Sequence, residues 1–321
     1  MLKVENLSTS YSVLGGKVNV INNVSFEIKK DEIFGIAGES GCGKTTLLKV
    51  LYDILDPPLQ IETGRVVFEA ENGKVYESGG IRKTWWENIS YVPQAAQSVL
   101  NPITRLKHQF LDSVPRHELK KEGAANVLKR VGGYLSELNL SPDVLEAYPF
   151  QLSGGMRQRV IIALATFMAP SLVLADEPTT ALDVVVQKDI LMLLMRLQKQ
   201  FKNTMVLVSH DMGVHYQITK RMGIMYAGSM VEIGETERIF SDPVHPYTRM
   251  LVNALPRVGD TRPREGIPGR PPSLLNPPAG CRFAPRCPQA TDLCRQTPPI
   301  FAETSDGHFA ACHTLGKGAG A

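Results

Sequence analysis

One eight-residue segment limits what this chain can fold into more than any other feature. It has the pattern G-x-x-x-x-G-K-[ST] and lies between an apolar, strand-like run at 32–37 and a helix-like stretch at 45–51. Such a loop binds phosphate, because its glycines let backbone N–H groups converge on the anion. We expect Lys44 to reach the β- and γ-phosphates of a nucleotide and the Thr45 hydroxyl to bind Mg²⁺. The segment comprises Gly38, Glu39, Ser40, Gly41, Cys42, Gly43, Lys44 and Thr45, and Thr46 follows it. The pattern predicts an α/β fold with a phosphate loop between strand and helix.

A second apolar run, at 172–175, ends in two carboxylates, Asp176 and Glu177. Such an ending is weak evidence alone, since many strands end in acidic residues. Beside a phosphate loop it predicts a magnesium site at Asp176, which can bind the ion directly or through water. Glu177 is then expected to polarise an attacking water molecule. The two segments together predict nucleotide hydrolysis.

A second anion-binding segment lies at 152–156, where Ser-Gly-Gly precedes a helical stretch. Backbone N–H groups at such a helix start attract anions. A chain with one phosphate loop does not need a second phosphate cradle in the same pocket. Ser153, Gly154, Gly155 and Met156 are therefore expected to serve the nucleotide of a partner subunit.

Residues 152–156 resemble the signature sequence of ABC-transporter ATPases. The family's other elements follow in the expected order: Tyr11 resembles the aromatic residue that stacks on adenine, Gln94 the Q-loop glutamine, Asp176 and Glu177 the Walker B pair, Asp183 the D-loop aspartate and His210 the H-loop histidine. The resemblance covers about residues 1–240. It implies ATP as ligand, with Tyr11, residues 38–46, Ser153–Met156 and Asp183 binding it. It also implies Mg²⁺ at Thr45, Gln94 and Asp176, and catalysis by Glu177, His210 and Gln94.

The hydrophobic pattern agrees with the fold that this resemblance implies. Alternating apolar and polar positions in residues 1–70 predict an antiparallel β layer. Apolar spacing of three and four residues within 97–155 predicts a helical subdomain, including helices at 105–113 and 124–140. Short apolar runs at 171–175, 204–209 and 221–226 predict strands of a parallel, RecA-like core. The expected domains are an ATPase domain at 1–240 and a C-terminal extension at 241–321.

The composition limits the kinds of partner that the chain is expected to bind. The chain has 321 residues, of which 43% are hydrophobic, and a formal net charge of +3, which is too small to predict nucleic-acid binding. The first seven residues lack the apolar region of a signal peptide. The longest apolar stretch, 160–175, is interrupted and shorter than the roughly 20 residues that span a bilayer. We therefore expect no nucleic-acid partner, and any membrane role to depend on other subunits.

The C-terminal extension differs in composition from the rest of the chain. Eleven of the 22 prolines lie between Pro256 and Pro299, which predicts no helix and little sheet there, so we expect an ordered extension or a linker. Its run 277–288 resembles the extension of the oligopeptide/dipeptide subfamily of ABC ATPases, some members of which hold a [4Fe–4S] cluster. Four cysteines follow a C-x₅-C-x₆-C-x₁₇-C spacing: Cys281, Cys287, Cys294 and Cys312.

Four thiols in a cytosolic extension favour metal over disulfides. Structural zinc usually has closer cysteine pairs, so the wide spacing favours an iron–sulfur cluster. Zinc, with His308 or His313 as substitute ligands, and unmetallated thiols are the alternatives.

The subfamily resemblance implies a function. The chain is expected to be an ATP-hydrolysing subunit that powers an importer for dipeptides or oligopeptides. The alternatives are the same role in an importer of oligosaccharides or nickel, and a phosphonate-degradation accessory ATPase. Residues 153–160 and 177–184 look like the first of two sister ATPases, which predicts a heterodimer. Two transmembrane permease subunits and an extracellular substrate-binding protein are the other implied partners. The implied location is peripheral, at the cytoplasmic face of the cell membrane.

Overall fold

Two β-sheets organise the chain in its computed structural model, which describes residues 2–94, 99–255 and 266–315. The strands are β1 (Leu2–Val13), β2 (Gly16–Ile28), β3 (Ile33–Ala37), β4 (Leu59–Glu69), β5 (Val75–Glu77), β6 (Ile89–Val92), β7 (Leu172–Asp176), β8 (Thr204–Val208), β9 (Arg221–Tyr226), β10 (Ser229–Glu235), β11 (Ala302–Ser305) and β12 (His308–Ala310). Residues 97 and 98 of the predicted helical subdomain, and Pro256 and Pro263 of the proline-rich stretch, lie outside the described residues.

The helices flank these sheets. They are α1 (Lys44–Leu51), α2 (Leu106–Ser113), α3 (Arg116–Glu122), α4 (Ala124–Glu137), α5 (Gly154–Thr166), α6 (Val184–Phe201), α7 (Met212–Ile218), α8 (Thr236–Ser241), α9 (Pro246–Asn253) and α10 (Asp292–Gln296). None of the helices in the described part of the chain is long and apolar enough to cross a membrane.

The smaller sheet has the order β2-β1-β4-β5 and is antiparallel, as the alternating pattern of the first 70 residues predicts. The inward-facing side chains of its first strand, Leu2, Val4 and Leu7, are almost completely buried. They pack in the same apolar cluster as Phe34 and Ile36 of β3. The antiparallel sheet thus covers one side of the nucleotide-binding core.

The larger sheet has the order β11-β12-β10-β9-β3-β8-β7-β6. Strands β9, β3, β8, β7 and β6 are parallel, and every residue of β3, β7 and β8 is buried. Burial on both faces explains why these strands read as continuous apolar runs. Since β8 lies between β3 and β7, the loop after β3 and the carboxylates after β7 meet at one edge of the sheet.

The helical subdomain contains the two helices that the apolar spacing predicts. Phe110 of α2 and Val127, Val131 and Leu135 of α4 are fully buried in the cluster that also contains the apolar side of α5. The short helix α3 between them was not predicted. It buries none of its residues, and therefore it carries no apolar spacing in the sequence.

The C-terminal extension is more regular than its composition predicts. Within the proline-rich stretch, residues 292–296 form α10, so the expectation of no helix there is wrong for this segment. Beyond it, β12 pairs antiparallel with β10, aligning Glu232 with Ala310, and thereby adds a hairpin to the edge of the main sheet. The Phe283 ring is buried against Tyr226 and Tyr247, with ring centroids 5.1 and 5.4 Å away. The extension therefore packs on the rest of the chain through a strand pair and an aromatic cluster.

Candidate functional site

The phosphate loop links β3 to α1 in a conformation that needs glycine. Gly38, Gly41 and Gly43 have φ values of 151°, 78° and 105°, a region that side chains rarely adopt. A Cβ atom on Gly38 would clash with the carbonyl oxygen of Met225, and one on Gly43 would lie 2.9 Å from the carbonyl oxygen of Val20. The glycines therefore allow the turn and the close approach of neighbouring backbone.

Lys44 is folded back onto the loop that precedes it. Its Nζ donates hydrogen bonds to the carbonyl oxygens of Gly38 at 2.7 Å and Glu39 at 3.0 Å. The side chain is buried, so these acceptors compensate for the water that its ammonium group has lost. They also hold the positive charge inside the curve of the loop.

Thr45 and Asp176 meet across the sheet edge, as the sequence predicts. Thr45 Oγ1 donates to Asp176 Oδ1 at 3.2 Å, and the Tyr91 hydroxyl donates to Oδ2 at 2.9 Å. Burial raises the pKa of Asp176, and these two hydrogen bonds oppose that rise. The sequence reasoning missed Tyr91. Its only signal is its position on β6, which pairs with β7 and so brings Tyr91 beside the strand that ends in Asp176.

Three residues surround the Glu177 carboxylate: His210 and Gln94, which the sequence singled out, and Thr180, which it did not. His210 Nδ1 lies 3.0 Å from Oε1, and Gln94 Nε2 donates to Oε2 at 3.1 Å. Thr180 Oγ1 donates to the same oxygen at 2.8 Å. Burial opposes ionisation of Glu177, but the hydrogen bonds from His210 and Thr180 outweigh it and hold its pKa below the ordinary value. The carboxylate is therefore ionised and fixed in direction.

A cavity of about 260 Å³ opens beside the phosphate loop. It is lined by Tyr11, Val20, Ser40, Gly41, Gly43, Lys44, Thr45, Thr46, Gln94, Glu177 and Leu274. The Tyr11 hydroxyl lies 3.3 Å from Thr46 Oγ1, which places the ring at the start of α1. Most of the predicted nucleotide-binding residues thus face one space, together with Leu274, which the sequence did not suggest.

Residues 153–156 and Asp183 do not line that cavity. Ser153 Oγ caps α5 by accepting a hydrogen bond from the Met156 N–H at 3.3 Å. Asp183 caps α6 by accepting from Val185 and Val186. A Cβ atom on Gly155 would lie 2.9 Å from Val186, so the two caps are packed together. Within one chain these residues form a separate surface, and their nucleotide role stays a prediction.

The four cysteines of the extension converge on a second, small cavity. Cys281, Cys287, Cys294 and Cys312 line it together with His245, Phe283 and His313, and its volume is about 10 Å³. All are free thiols. Burial raises the pKa of Cys281 to about 11 and also raises that of Cys287.

This arrangement does not support the predicted iron–sulfur cluster. The donor set fits, since four thiols face one space. The space does not fit, because about 10 Å³ holds one water molecule. Among residues 2–94, 99–255 and 266–315, no group of three or more His, Cys, Asp or Glu side chains is placed to hold a metal ion. His308 is not at this cavity: its Nε2 lies 2.7 Å from the buried Glu232 carboxylate.

Comparisons with known proteins agree with this geometry. A family model described as "ABC transporter" matches residues 21–180, and one described as "Oligopeptide/dipeptide transporter, C-terminal region" matches residues 231–294. The dipeptide transport ATP-binding protein DppD of Caldanaerobacter subterraneus subsp. tengcongensis is 38% identical over 320 residues, which cover 99% of this chain and 98% of that protein. DppD of Escherichia coli is 33% identical, covering 98% and 96%.

Solved structures support the fold independently. A dimeric bacterial ABC transporter cassette superposes with a TM-score of 0.61 at 27% identity, covering 74% of this chain and 99% of that one. A dimeric ATP-binding cassette bound to ADP and Pi superposes with a TM-score of 0.59 at 26% identity, covering 74% and 99%. The predicted fold class, a P-loop ATPase with a parallel core, an antiparallel layer and a helical subdomain, is confirmed. The chain belongs to the ABC transporter ATP-binding proteins that carry an oligopeptide/dipeptide transporter C-terminal region, and it is an ATPase.

Proposed function

We propose that this ATPase powers an importer for dipeptides or oligopeptides. One observation carries the proposal: relatives named for dipeptide transport match almost the whole chain, and the transporter-specific model covers part of the extension at residues 231–294. A match confined to the ATPase core would have favoured no substrate class.

In this proposal ATP occupies the cavity beside the phosphate loop. Tyr11 stacks on the adenine, and Lys44 exchanges the carbonyl oxygens of Gly38 and Glu39 for the β- and γ-phosphates. Thr45 and Asp176, whose side-chain oxygens lie 3.2 Å apart, would hold Mg²⁺ together with Gln94, and the ion would offset the negative charge of the phosphates. Tyr91 orients Asp176 through its hydrogen bond to the other carboxylate oxygen.

Hydrolysis depends on positioning the attacking water. Glu177 is ionised and held by Thr180, so it can accept a hydrogen bond from that water. His210 and Gln94 contact Glu177 in this structure, and Gln94 and Glu177 both line the cavity. We assign His210 to the γ-phosphate once ATP binds.

A partner ATPase completes the site with its own residues 153–156 and Asp183. Three apolar side chains near that surface are largely exposed: Phe150 is 68% exposed, Val184 82% and Val185 72%. A dimer interface would cover them. The assembly contains a heterodimer of this chain with a sister ATPase, two permease subunits and an extracellular binding protein. The ATPases lie at the cytoplasmic face of the membrane. In this arrangement residues 1–240 are the ATPase domain and residues 241–321 the extension.

Transport by the reconstituted complex tests the function. The complex, purified with the permease subunits that co-purify, is placed in liposomes that contain ATP, and uptake of labelled dipeptides and longer peptides is compared with uptake of an oligosaccharide and of Ni²⁺. ATP-dependent peptide uptake that is lost with Glu177→Gln supports the proposal. Uptake of only the sugar or the metal ion contradicts it, and purification without any permease supports a function outside transport.

A further inference from the structure

A buried ion pair joins the extension to the phosphate loop. Arg286 lies directly before Cys287, and its guanidinium binds the Glu39 carboxylate with both terminal nitrogens, at 2.8 and 3.0 Å. The two residues are 247 positions apart in the sequence. The Arg286 side chain is only 4% exposed, and that of Glu39 is 25% exposed. Such bidentate contacts are the strongest kind of side-chain ion pair, and their geometry is fixed.

Arg286 has no spare hydrogen-bonding capacity. Besides Glu39, it donates to the carbonyl oxygens of Pro268 at 2.8 Å and Ile267 at 3.1 Å and to the Tyr226 hydroxyl at 3.2 Å. These contacts engage all five N–H groups of the guanidinium. The side chain is thus held by the extension and by β9 in one orientation, with its fork directed at Glu39.

Glu39 connects that fork to Lys44. Its carbonyl oxygen accepts the Lys44 ammonium, and its N–H donates to the Tyr247 hydroxyl at 3.0 Å. Residues of the extension therefore hold both the side chain and the backbone of Glu39, while the same residue holds the lysine that is expected to bind phosphate. A displaced Glu39 would carry the phosphate loop and Lys44 with it.

We propose that Arg286 is a positioning residue for nucleotide binding in its own chain and that it acts through Glu39. The proposal rests on the ATP site proposed above. Arg286 fixes the second residue of the phosphate loop and neutralises a carboxylate that would otherwise repel the phosphates. The extension thereby contributes to the ATP site.

A double-mutant cycle tests this with purified full-length chain and a fluorescent ADP analogue with Mg²⁺. Arg286→Met should weaken binding about tenfold, within the range measured for directly coupled residues. In the Glu39→Gln background the same substitution should weaken binding less than about twofold, since its target is gone. Arg286→Lys should fall between, because a single ammonium cannot form the bidentate contact. Arg295→Met is the matched control: it breaks an exposed ion pair with Asp292 in the same extension and should leave binding unchanged.

The outcomes separate the two proposals. Lys44→Ala tests the ATP site itself; unchanged binding in that variant would refute the site and, with it, the role of Arg286. If Lys44→Ala loses binding but Arg286→Met binds as the wild type does, the role of Arg286 alone is refuted. An equal loss from Arg286→Met in the wild-type background and in the Glu39→Gln background would mean that the arginine acts only through the fold of the extension, which also refutes it.

A second contact, independent of that ion pair, comes from Leu274. This residue of the extension lines the cavity beside the phosphate loop. It packs against the apolar cluster that includes Val20 and Tyr11, and so it lies at the end of the cavity that would hold the base and not at the phosphate end. We infer that Leu274 is a nucleotide-binding residue that contacts the base or ribose of ATP.

Neighbouring leucines provide a matched test. Leu274→Ala should weaken binding of ATP and of ADP equally, by about threefold for a partly buried apolar contact, and leave binding of inorganic triphosphate unchanged. Leu275 is 45% exposed and does not line the cavity, so Leu275→Ala should bind all three ligands as the wild type does. Equal affinities for the two variants, tighter binding after Leu274→Ala, or a parallel loss of triphosphate binding would each refute the inference.

Discussion

The phosphate loop and the C-terminal extension lie against each other, and the loop has short-range internal contacts in addition to those that the extension makes with it. In the loop, Lys44 binds carbonyl oxygens only five and six positions earlier in the chain. The extension is held by contacts between distant residues, such as His308 with Glu232, 76 positions apart, and Arg286 with Glu39. Local contacts form whenever the segment itself folds. Distant contacts depend on the two parts of the molecule staying together.

This difference in contacts predicts different effects of substitutions in the two regions. Catalytic residues can be lost one at a time while the loop keeps its shape, so variants there should separate binding from turnover. Variants at the anchors of the extension should release it while the ATPase core stays folded.

The largest effect is expected from Glu177→Gln. An amide cannot accept a proton from the attacking water, and a general base contributes about 10²–10⁴ to the rate. The contacts of Lys44, Thr45 and Asp176 do not involve Glu177, so ATP affinity should change little. Turnover is measured by phosphate release from the assembled complex, and binding by nucleotide titration. Near-normal turnover would remove Glu177 from the mechanism, and lost binding would show that the loop is less independent than its local contacts imply.

A smaller effect is expected from His308→Leu, which attacks an anchor of the extension. His308 and Glu232 are both fully buried, and the substitution removes a hydrogen-bond partner from a buried carboxylate. Breaking such a pair costs about 3 kcal/mol. Release of the 302–310 hairpin would make its thermolysin cleavage roughly a hundredfold faster.

The matched variant His308→Gln keeps an N–H donor and should be cleaved at an intermediate rate. The two tryptophans of the chain, Trp85 and Trp86, lie outside the extension, and Trp85 stacks on Tyr52, so tryptophan fluorescence reports core unfolding separately. The urea titration gives the loss in free energy of unfolding of the core, and the cleavage rate gives the loss for the hairpin. If His308→Leu causes equal losses in both, the hairpin and the core unfold as one unit and the proposed contrast is wrong.

The same contrast explains what could be predicted from the sequence. The buried strands and the meeting of Thr45 with Asp176 follow from continuous apolar runs and from motif order, because parallel strands end at one edge. The contacts Tyr91–Asp176, Arg286–Glu39 and His308–Glu232 leave no local signal, since each depends on which strands become neighbours. The cysteine spacing indicated a metal but could not show that the thiols enclose so little space.

Acid should act through two buried histidines, His215 in the core and His245 in the extension, before it protonates Glu232, because burial lowers the pKa of each histidine to about 4. Burial lowers the pKa of His215 to about 4 in the folded chain, whereas in the unfolded chain this histidine has its ordinary pKa of about 6.5. Between these values the unfolded state binds more protons, so the free energy of unfolding falls as pH falls from about 6.5 to 4. The loss from this residue should reach about 2 kcal/mol at pH 5.

Glu232 behaves differently over that range. Burial opposes its ionisation, but hydrogen bonds led by that from His308 hold its pKa below the ordinary 4.5, so its contribution is lost only as pH falls below that value. Urea titrations followed by tryptophan fluorescence at pH 7 and pH 5 measure the free energy of unfolding of the core. His215→Leu should weaken the dependence of the free energy of unfolding on pH. His117→Leu, at an exposed histidine, should leave that dependence unchanged. If the free energy of unfolding of His215→Leu depends on pH as that of the wild type does, the acid sensitivity belongs to another group.

The smallest effect is expected from Cys42→Ser, within the phosphate loop itself. The Cys42 side chain is buried and lies under Gly38, with Sγ 3.8 Å from Lys44 Nζ. Burial raises its pKa, and a thiol that stays protonated is a poor nucleophile. Since the loop is held by backbone contacts, a serine of similar size should change nucleotide affinity less than about twofold. Maleimide should label the half-buried Cys287 before Cys42, and label that does reach Cys42 should block binding and be prevented by ATP. A tenfold loss of affinity in Cys42→Ser would give the thiol a direct role, and the loop would then depend on more than its backbone.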